Sequence, residues 1–206
     1  MKAHWDQIYN KKSVESLGWY EEHPGPSLQL ISKCNLGKEA LILSVGAGAT
    51  TLVDELLRIG HLNIVANDVS APALDKIKAR LGDDSASKVR WIVDDIINPA
   101  ALHALGPVDL WHDRAVLHFF NDLAQQDRYF NLLRNLVKVN GYVIIAVFNL
   151  DGARKCSGLP VFRYNQEMLQ LKLGKDFDLM ESFDHTYIMP SGDSREYIYT
   201  LFRRAF

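Results

Sequence analysis

Between residues 38 and 149, short apolar runs alternate with amphipathic stretches, which is how buried parallel strands and their crossover helices read along a chain. The strands expected are Ala40–Val45, Asn63–Asp68, Val89–Val93, Val108–His112 and Tyr142–Phe148, each short and rich in Val, Ile or Leu. Between the first two, Leu52, Leu56 and Ile59 share one helical face. Thr51 and Asp54 form a variant capping box there, and Gly60 stands where a left-handed C-terminal cap belongs. Pro72–Leu81 predicts a second helix with Ser70 as N-cap. Asn121–Val139 predicts a third, striped by Leu123, Phe130, Leu133, Leu136 and Val137, after which Asn140-Gly141 turns the chain into the fifth strand.

Beyond residue 150 the pattern loosens. Asp151–Tyr164 reads as a loop and Asn165–Leu173 as a helix. Two longer β-like runs follow, Phe177–Ile188 and Glu196–Arg203, joined through Met189-Pro-Ser-Gly-Asp193. So short a connection permits an antiparallel hairpin, whereas a parallel pair needs a crossover of about a dozen residues or more. The sheet is therefore expected to end in a reversed strand.

Composition narrows the class. With 206 residues, 48% of them hydrophobic, the chain has material for one domain with a full core. We expect a single domain over 1–206: an N-terminal helical lid (1–37), a cofactor-binding core (38–149) and an acceptor-side loop, helix and hairpin (150–206). Lys and Arg total 23 against 25 Asp and Glu, so the overall basic excess used in sequence-independent nucleic-acid binding is missing. Cys34 and Cys156 fit neither a disulfide framework nor a thiolate zinc site. No signal-peptide core and no bilayer-length apolar run is visible. A cytoplasmic protein without a membrane partner is expected.

The chemistry concentrates at the carboxyl ends of the strands. In Leu41-Ile-Leu-Ser-Val-Gly46-Ala47-Gly48 a buried strand runs into a Gly-x-Gly turn and then a helix, letting a ligand approach backbone that a β-carbon would block. The second strand ends at Asp68-Val69, where a carboxylate can accept both hydroxyl protons of an adenosine ribose. The same residue could instead cap the turn beside Ser70. Asp94-Asp95-Ile96 ends the third strand, placing a carboxylate for an adenine amino group and Ile96 for the purine face, although adjacent acids also end solvated strands. Nicotinamide cofactors contain adenosine too. A dinucleotide fingerprint, however, carries a third glycine where this chain has Thr51, and its sheet is wholly parallel.

On these residues, the fourth strand Val108–His118 and the terminal hairpin, the sequence resembles the class I S-adenosylmethionine-dependent methyltransferases. The resemblance implies an α/β, Rossmann-like, doubly wound seven-stranded sheet with six parallel strands and one antiparallel strand, and helices on both faces. It implies S-adenosylmethionine as cofactor, with the glycine turn on the methionine part, Asp68 on ribose, and Asp95 with Ile96 on adenine. One departure stands out: the family usually carries an acid two residues before the first glycine, and here that residue is Ser44, which can still hydrogen-bond.

The segment His4-Trp5-Asp6 to Tyr9, with Gly18-Trp19-Tyr20, is similar to the arm that covers the donor in thiopurine and thiol methyltransferases and in several protein-lysine methyltransferases. Trp19 is the first choice for a ring facing a sulfonium; Trp5 and Tyr9 could equally pack the arm onto the core. Asp113-Arg114-Ala115 also looks like the thiol enzymes, with Asp113 and Arg114 near the donor. No Asn/Asp-Pro-Pro-aromatic element of the nucleic-acid amino-methylating enzymes stands here. His112, Asp113 and His118 are the candidate bases, although a structural role is the expected one for each histidine, and their spacing matches no metal signature. Tyr20, Arg114, Cys156, Arg163 and Tyr164 are candidates for shaping an acceptor pocket. The expected activity is in-line methyl transfer to a small molecule. The alternatives are protein-lysine methylation and a non-catalytic sensor of the same cofactor.

Overall fold

The computed structural model describes residues 1–206. Five parallel strands form most of one sheet: β1 (Leu41–Val45), β2 (Asn63–Asp68), β3 (Val89–Val93), β4 (Val108–Arg114) and β5 (Val137–Phe148). A two-residue ribbon follows, β6 (Lys155–Cys156) against β7 (Leu159–Pro160), inside the stretch expected to be loop. The long strands β8 (Phe177–Ile188) and β9 (Ser194–Arg204) complete the sheet in the order β3-β2-β1-β4-β5-β9-β8. Strand β9 is antiparallel to both β5 and β8. Six strands thus share a direction and the last one in the chain opposes them, slotted between β5 and the edge strand β8.

Helices cover both faces. On one side α2 (Gly25–Lys33), α3 (Leu52–Arg58) and α4 (Ala71–Ala86) bury Leu30, Ile31, Leu56, Leu74 and Ile77 against Ile42, Ile64 and Ile144. On the other α5 (Leu123–Leu136) and α6 (Gln166–Leu173) set Tyr129, Phe130, Leu133, Leu169 and Leu173 against Leu43, Trp111, Val143 and Ile145. Consecutive sheet residues point to opposite faces, so neighbours such as Leu43 and Ile42 fall into different cores.

Several helix ends differ from expectation. Gly60 does close α3, at φ +89°, with its N–H on Leu57 O and that of His61 on Leu56 O, a Schellman arrangement. The Thr51–Asp54 capping box does not form. Thr51 Oγ1 donates to Glu21 O, Asp54 pairs with Arg80, and Thr50 Oγ1 accepts from Leu52 N. Ser70 likewise makes no cap: its buried Oγ has no partner, and its N–H goes to Asp68 Oδ1 at 2.8 Å. The caps of α5 and α6 are side chains, Asp122 onto Gln125 N and Asn165 onto Met168 N.

The first 37 residues divide in two. Helix α1 (Lys2–Lys11) and the following turn lie over the sheet's carboxyl edge, whereas α2 is a packing helix whose Ser27, Leu30 and Ile31 are buried. No helix is long and apolar enough to cross a membrane.

Candidate active site

Two adjoining clefts open at the carboxyl ends of β1, β2, β3 and β4. The first is bordered by Val45, Gly46, Asp68, Val69, Asp94, Asp95 and Ile96, with Trp5, Tyr9 and Trp19 from the arm and Ala115, Val116, Phe119, Phe120 and Cys156 on the far side. The second holds Tyr20, Glu21, Ser44, the turn Gly46-Ala47-Gly48, Thr50 and His112. Trp19, Val45, Gly46 and Arg114 border both, so the clefts are two lobes of one site.

The glycine turn is shaped by backbone geometry and by the protein's own side chains. Gly46 and Gly48 sit at φ +53° and +58°, where a β-carbon is disfavoured. A β-carbon on Gly46 would lie 2.1 Å from Val116 Cγ2, and one on Gly48 2.6 Å from the Tyr9 hydroxyl. The close approach expected of a ligand is thus made here by Val116 and Tyr9.

Asp68 is 6% exposed and fixed through both oxygens, Oδ2 by Gly48 N and Oδ1 by Ser70 N, each at 2.8 Å. Burial raises its pKa to about 6, against the lowering pull of the Ser70, Gly48 and Val69 amides. It therefore braces the turn while bordering the first cleft. Asp94 has another occupation. Its carboxylate accepts from the amides of Asp95, Ala100, Ala101 and Leu102 at 2.8–3.0 Å, organising the loop beyond β3. Asp95 makes a single such bond, Oδ1 to Ile97 N, which leaves its other oxygen available beside Ile96.

The candidate bases do not converge. Asp113, fully buried, faces the α5 side and accepts from Val116 N, Leu117 N and the Tyr129 hydroxyl; burial pushes it up to about 6. His112 borders the second lobe, but its Nε2 lies 2.9 Å from Ser27 Oγ, and burial, with the Arg114 charge second, drives it down to about 3. His118 is wedged between Phe119 and Phe148 with neither ring nitrogen partnered, and the same causes hold it at about 3. Strand alternation explains the split: the side chains of 112 and 113 leave the sheet on opposite faces. No group of three His, Cys, Asp or Glu side chains is placed to hold a metal ion.

Of the residues read as acceptor-shaping, Tyr20, Arg114 and Cys156 border the clefts. Tyr164 does not: it is fully buried in the α5 core against Phe162. Arg163 points back onto Leu150 O and Gly152 O, bracing its own loop. Cys156 is half-buried, and burial raises its thiol to about 11.

Above the site, Trp5, Tyr9, Trp19 and Phe119 form one aromatic cluster, with Trp5 centred 5.5 Å from Trp19 and 5.1 Å from Phe119. Beneath it Arg114 is held by Tyr199 on Nε and Trp19 O on Nη1, each at 3.0 Å, and stacks 5.0 Å from the rings of Tyr187 and Tyr197. Glu21 lies opposite at 3.0 Å. Sequence reasoning missed Glu21, Tyr187, Tyr197 and Tyr199; only the adjacency of Glu21 to Trp19-Tyr20 hinted at it.

A methyltransferase domain family matches residues 43–143, from the glycine strand into β5. Over 72% of this chain and 68% of its own length, EEF1A lysine methyltransferase 2 of Danio rerio is 26% identical, and the Mus musculus protein of that name is 24% identical over 72% and 65%. Residues 43–143 thus carry a methyltransferase domain, and the chain is similar to the class I S-adenosylmethionine-dependent methyltransferases. Solved structures share this methyltransferase fold. A SAM-dependent methyltransferase from Anabaena variabilis superposes with a TM-score of 0.77 at 13% identity, covering 98% of this chain and 93% of that one. Burkholderia thailandensis 1,6-didemethyltoxoflavin-N1-methyltransferase, solved with its substrate and S-adenosylhomocysteine, gives 0.70 at 19%, covering 96% and 81%. The methyltransferase site here fits such a donor: a carboxylate pinned at the end of β2, a glycine turn at the end of β1, and a buried guanidinium nitrogen, Arg114 Nη2, without a partner.

Proposed function

We propose that this methyltransferase moves a methyl group to a small-molecule acceptor within the covered first lobe, in a reducing cytoplasmic setting that suits its two free thiols. The observation that carries the reading is the apolar lining of that lobe, to which Trp5 and Trp19 from the arm contribute together with Val116, Phe119 and Phe120. Such a lining favours a compact, desolvated acceptor.

In this reading Asp68 accepts from the ribose hydroxyls, with Val69 alongside. Asp95 and Ile96 take the adenine, and Ser44 with Gly46-Ala47-Gly48 takes the methionine end. Trp19 presents a ring face to the sulfonium, an attraction of about 0.5–2 kcal/mol depending on desolvation. When bound, the donor supplies an electrophilic methyl group on a neutral leaving group. The protein's own contribution is alignment and exclusion of water, worth up to about 7–11 kcal/mol in favourable systems. His112 has its Nε2 on Ser27 and is a weak base at a pKa of about 3, Asp113 is held by three donors, and His118 is walled in by Phe119 and Phe148, so none of the three is placed to serve as a base. The acceptor must therefore arrive with its lone pair exposed. Arg114, Tyr20 and Cys156 border the space it would enter.

Protein-lysine methylation is the second reading, favoured by the EEF1A lysine methyltransferase relatives. Incubation with a radiolabelled methyl donor and two panels tests the choice, one of thiols, amines and nitrogen heterocycles, the other of elongation-factor 1A preparations. Label in the low-mass fraction supports the small-molecule reading, and label confined to a lysine replaces it with the second. Donor binding without label in either panel leaves a cofactor sensor.

A further inference from the structure

The methionine end of the donor is a zwitterion, and the acid that the family places two residues before the first glycine is Ser44 here. A different acid reaches the same lobe. Glu21 comes from the amino-terminal arm and borders the second cleft together with Ser44 and the glycine turn. Its side chain is 9% exposed, and its Oε2 lies 3.0 Å from Arg114 Nε. We propose that Glu21 and Arg114 together recognise the α-amino-acid end of the donor. Glu21 would accept from the ammonium in place of the acid missing at position 44, and Arg114 would donate to the carboxylate. This inference rests on the donor placement proposed above.

Three features favour this role over a purely structural ion pair. The first is an orphan: Arg114 places Nε on Tyr199 and Nη1 on Trp19 O, yet its buried Nη2 has no partner. A buried guanidinium nitrogen left unpaired is costly, and a carboxylate in the cleft that Arg114 borders would satisfy it. The second is rigidity. The rings of Tyr187 and Tyr197, set nearly perpendicular to each other, both border the guanidinium at 5.0 Å, while Tyr199 and Trp19 O hold two of its nitrogens in place.

The third is the mounting of Glu21. Three consecutive carbonyls are held from three directions: Trp19 O by Arg114, Tyr20 O by Tyr187, and Glu21 O by Thr51 of the glycine loop. That fixes the backbone carrying the carboxylate without occupying the carboxylate. A fixed acid beside a fixed guanidinium is the complement of a zwitterion, and it requires no reorganisation on binding.

The test is calorimetric titration of the full chain with S-adenosylhomocysteine and with 5′-methylthioadenosine, which keeps the nucleoside but lacks the amino-acid end. Glu21→Gln is expected to weaken S-adenosylhomocysteine about ten- to hundredfold, the range of a charge-assisted hydrogen bond, with 5′-methylthioadenosine changed less than about twofold. Adding Ser44→Asp to Glu21→Gln should recover much of the loss by restoring an acid at the family's position. Unchanged S-adenosylhomocysteine binding overturns the inference, and so does an equal loss for both ligands, which would mark Glu21 as a structural strut. Should Glu21→Gln not fold, Glu21→Asp keeps the charge opposite Arg114 while withdrawing it by one methylene, and the same selective loss is required of it. Wild-type protein that binds neither nucleoside would instead sink the donor placement itself.

Discussion

Asp68 Oδ2 accepts the Gly48 N–H at 2.8 Å, so the carboxylate ending β2 holds the turn ending β1. One residue thereby braces the glycine loop while bordering the first lobe of the site. Asp68→Asn is expected to weaken S-adenosylhomocysteine at least about tenfold, because an amide offers one acceptor oxygen where the carboxylate offers two. Burial also moves the folded-state pKa up to about 6. Below that value a proton competes with the ribose hydroxyls, so wild-type affinity should fall roughly tenfold per pH unit between about 6 and 4. Calorimetry across that range checks the slope, and Asp68→Asn should flatten it.

Gly46 faces Val116 so closely that an added β-carbon would sit 2.1 Å from Cγ2. Gly46→Ala combines overpacking with a left-handed backbone, an expected loss of about 2–5 kcal/mol. Val116→Ala removes the clash but not the strain. In a denaturant double-mutant cycle the pair should therefore lose less than the sum of the singles, by about 1–2 kcal/mol. Strict additivity would mean that Val116 is not what the glycine accommodates.

Asp94 gathers four backbone amides between Asp95 and Leu102. Its replacement by Ala should cost about 1–3 kcal/mol as those amides lose their acceptor. Hydrogen exchange should lose protection across residues 95–102 while β1 and β4 stay protected. Nucleoside affinity would fall only through the displaced Asp95.

His118 is fully buried, and both its ring nitrogens lack partners. Its pKa is depressed to about 3 by burial first and the Arg114 charge second, so below about 6.5 the unfolded chain takes up a proton that the folded one refuses. The stability present above 6.5 is lost as pH falls, by about 1.4 kcal/mol per unit. Asp68 and Asp113 act in the opposite sense, since their raised pKa values let the folded chain bind protons first. His118→Leu should match or exceed wild type at pH 7, and its advantage in denaturant midpoints should widen steadily from pH 6 to 4.

How much of this was legible in advance depended on how local the determinants are. The strand–glycine turn–helix unit and the acid at the end of β2 are set within a few residues, and both stand at the expected positions. The reversed β9 followed from a connection too short for a crossover. Facing was harder. Asp113, His118 and Tyr164 carry suggestive side chains next to the site, but whether such a group meets the cleft or the α5 core depends on where strand alternation and tertiary packing point it. Asp94 illustrates another limit, since its work is to tie down a loop whose path no periodicity encodes. Glu21 lies in an aperiodic stretch, and its partner Arg114 is brought to it only by the folding of the sheet.

The three pinned carbonyls from Trp19 to Glu21 separate the amino-terminal arm into a roof and a foundation. Helix α1 carries Trp5 and Tyr9 of the roof and joins the foundation through Lys12 and Ser13, both exposed to solvent, whereas the foundation is bolted to β4, β8 and the glycine loop. Changes at Trp5 in α1 are therefore expected to retailor what the first lobe admits while the pinned backbone from Trp19 to Glu21 stays in place.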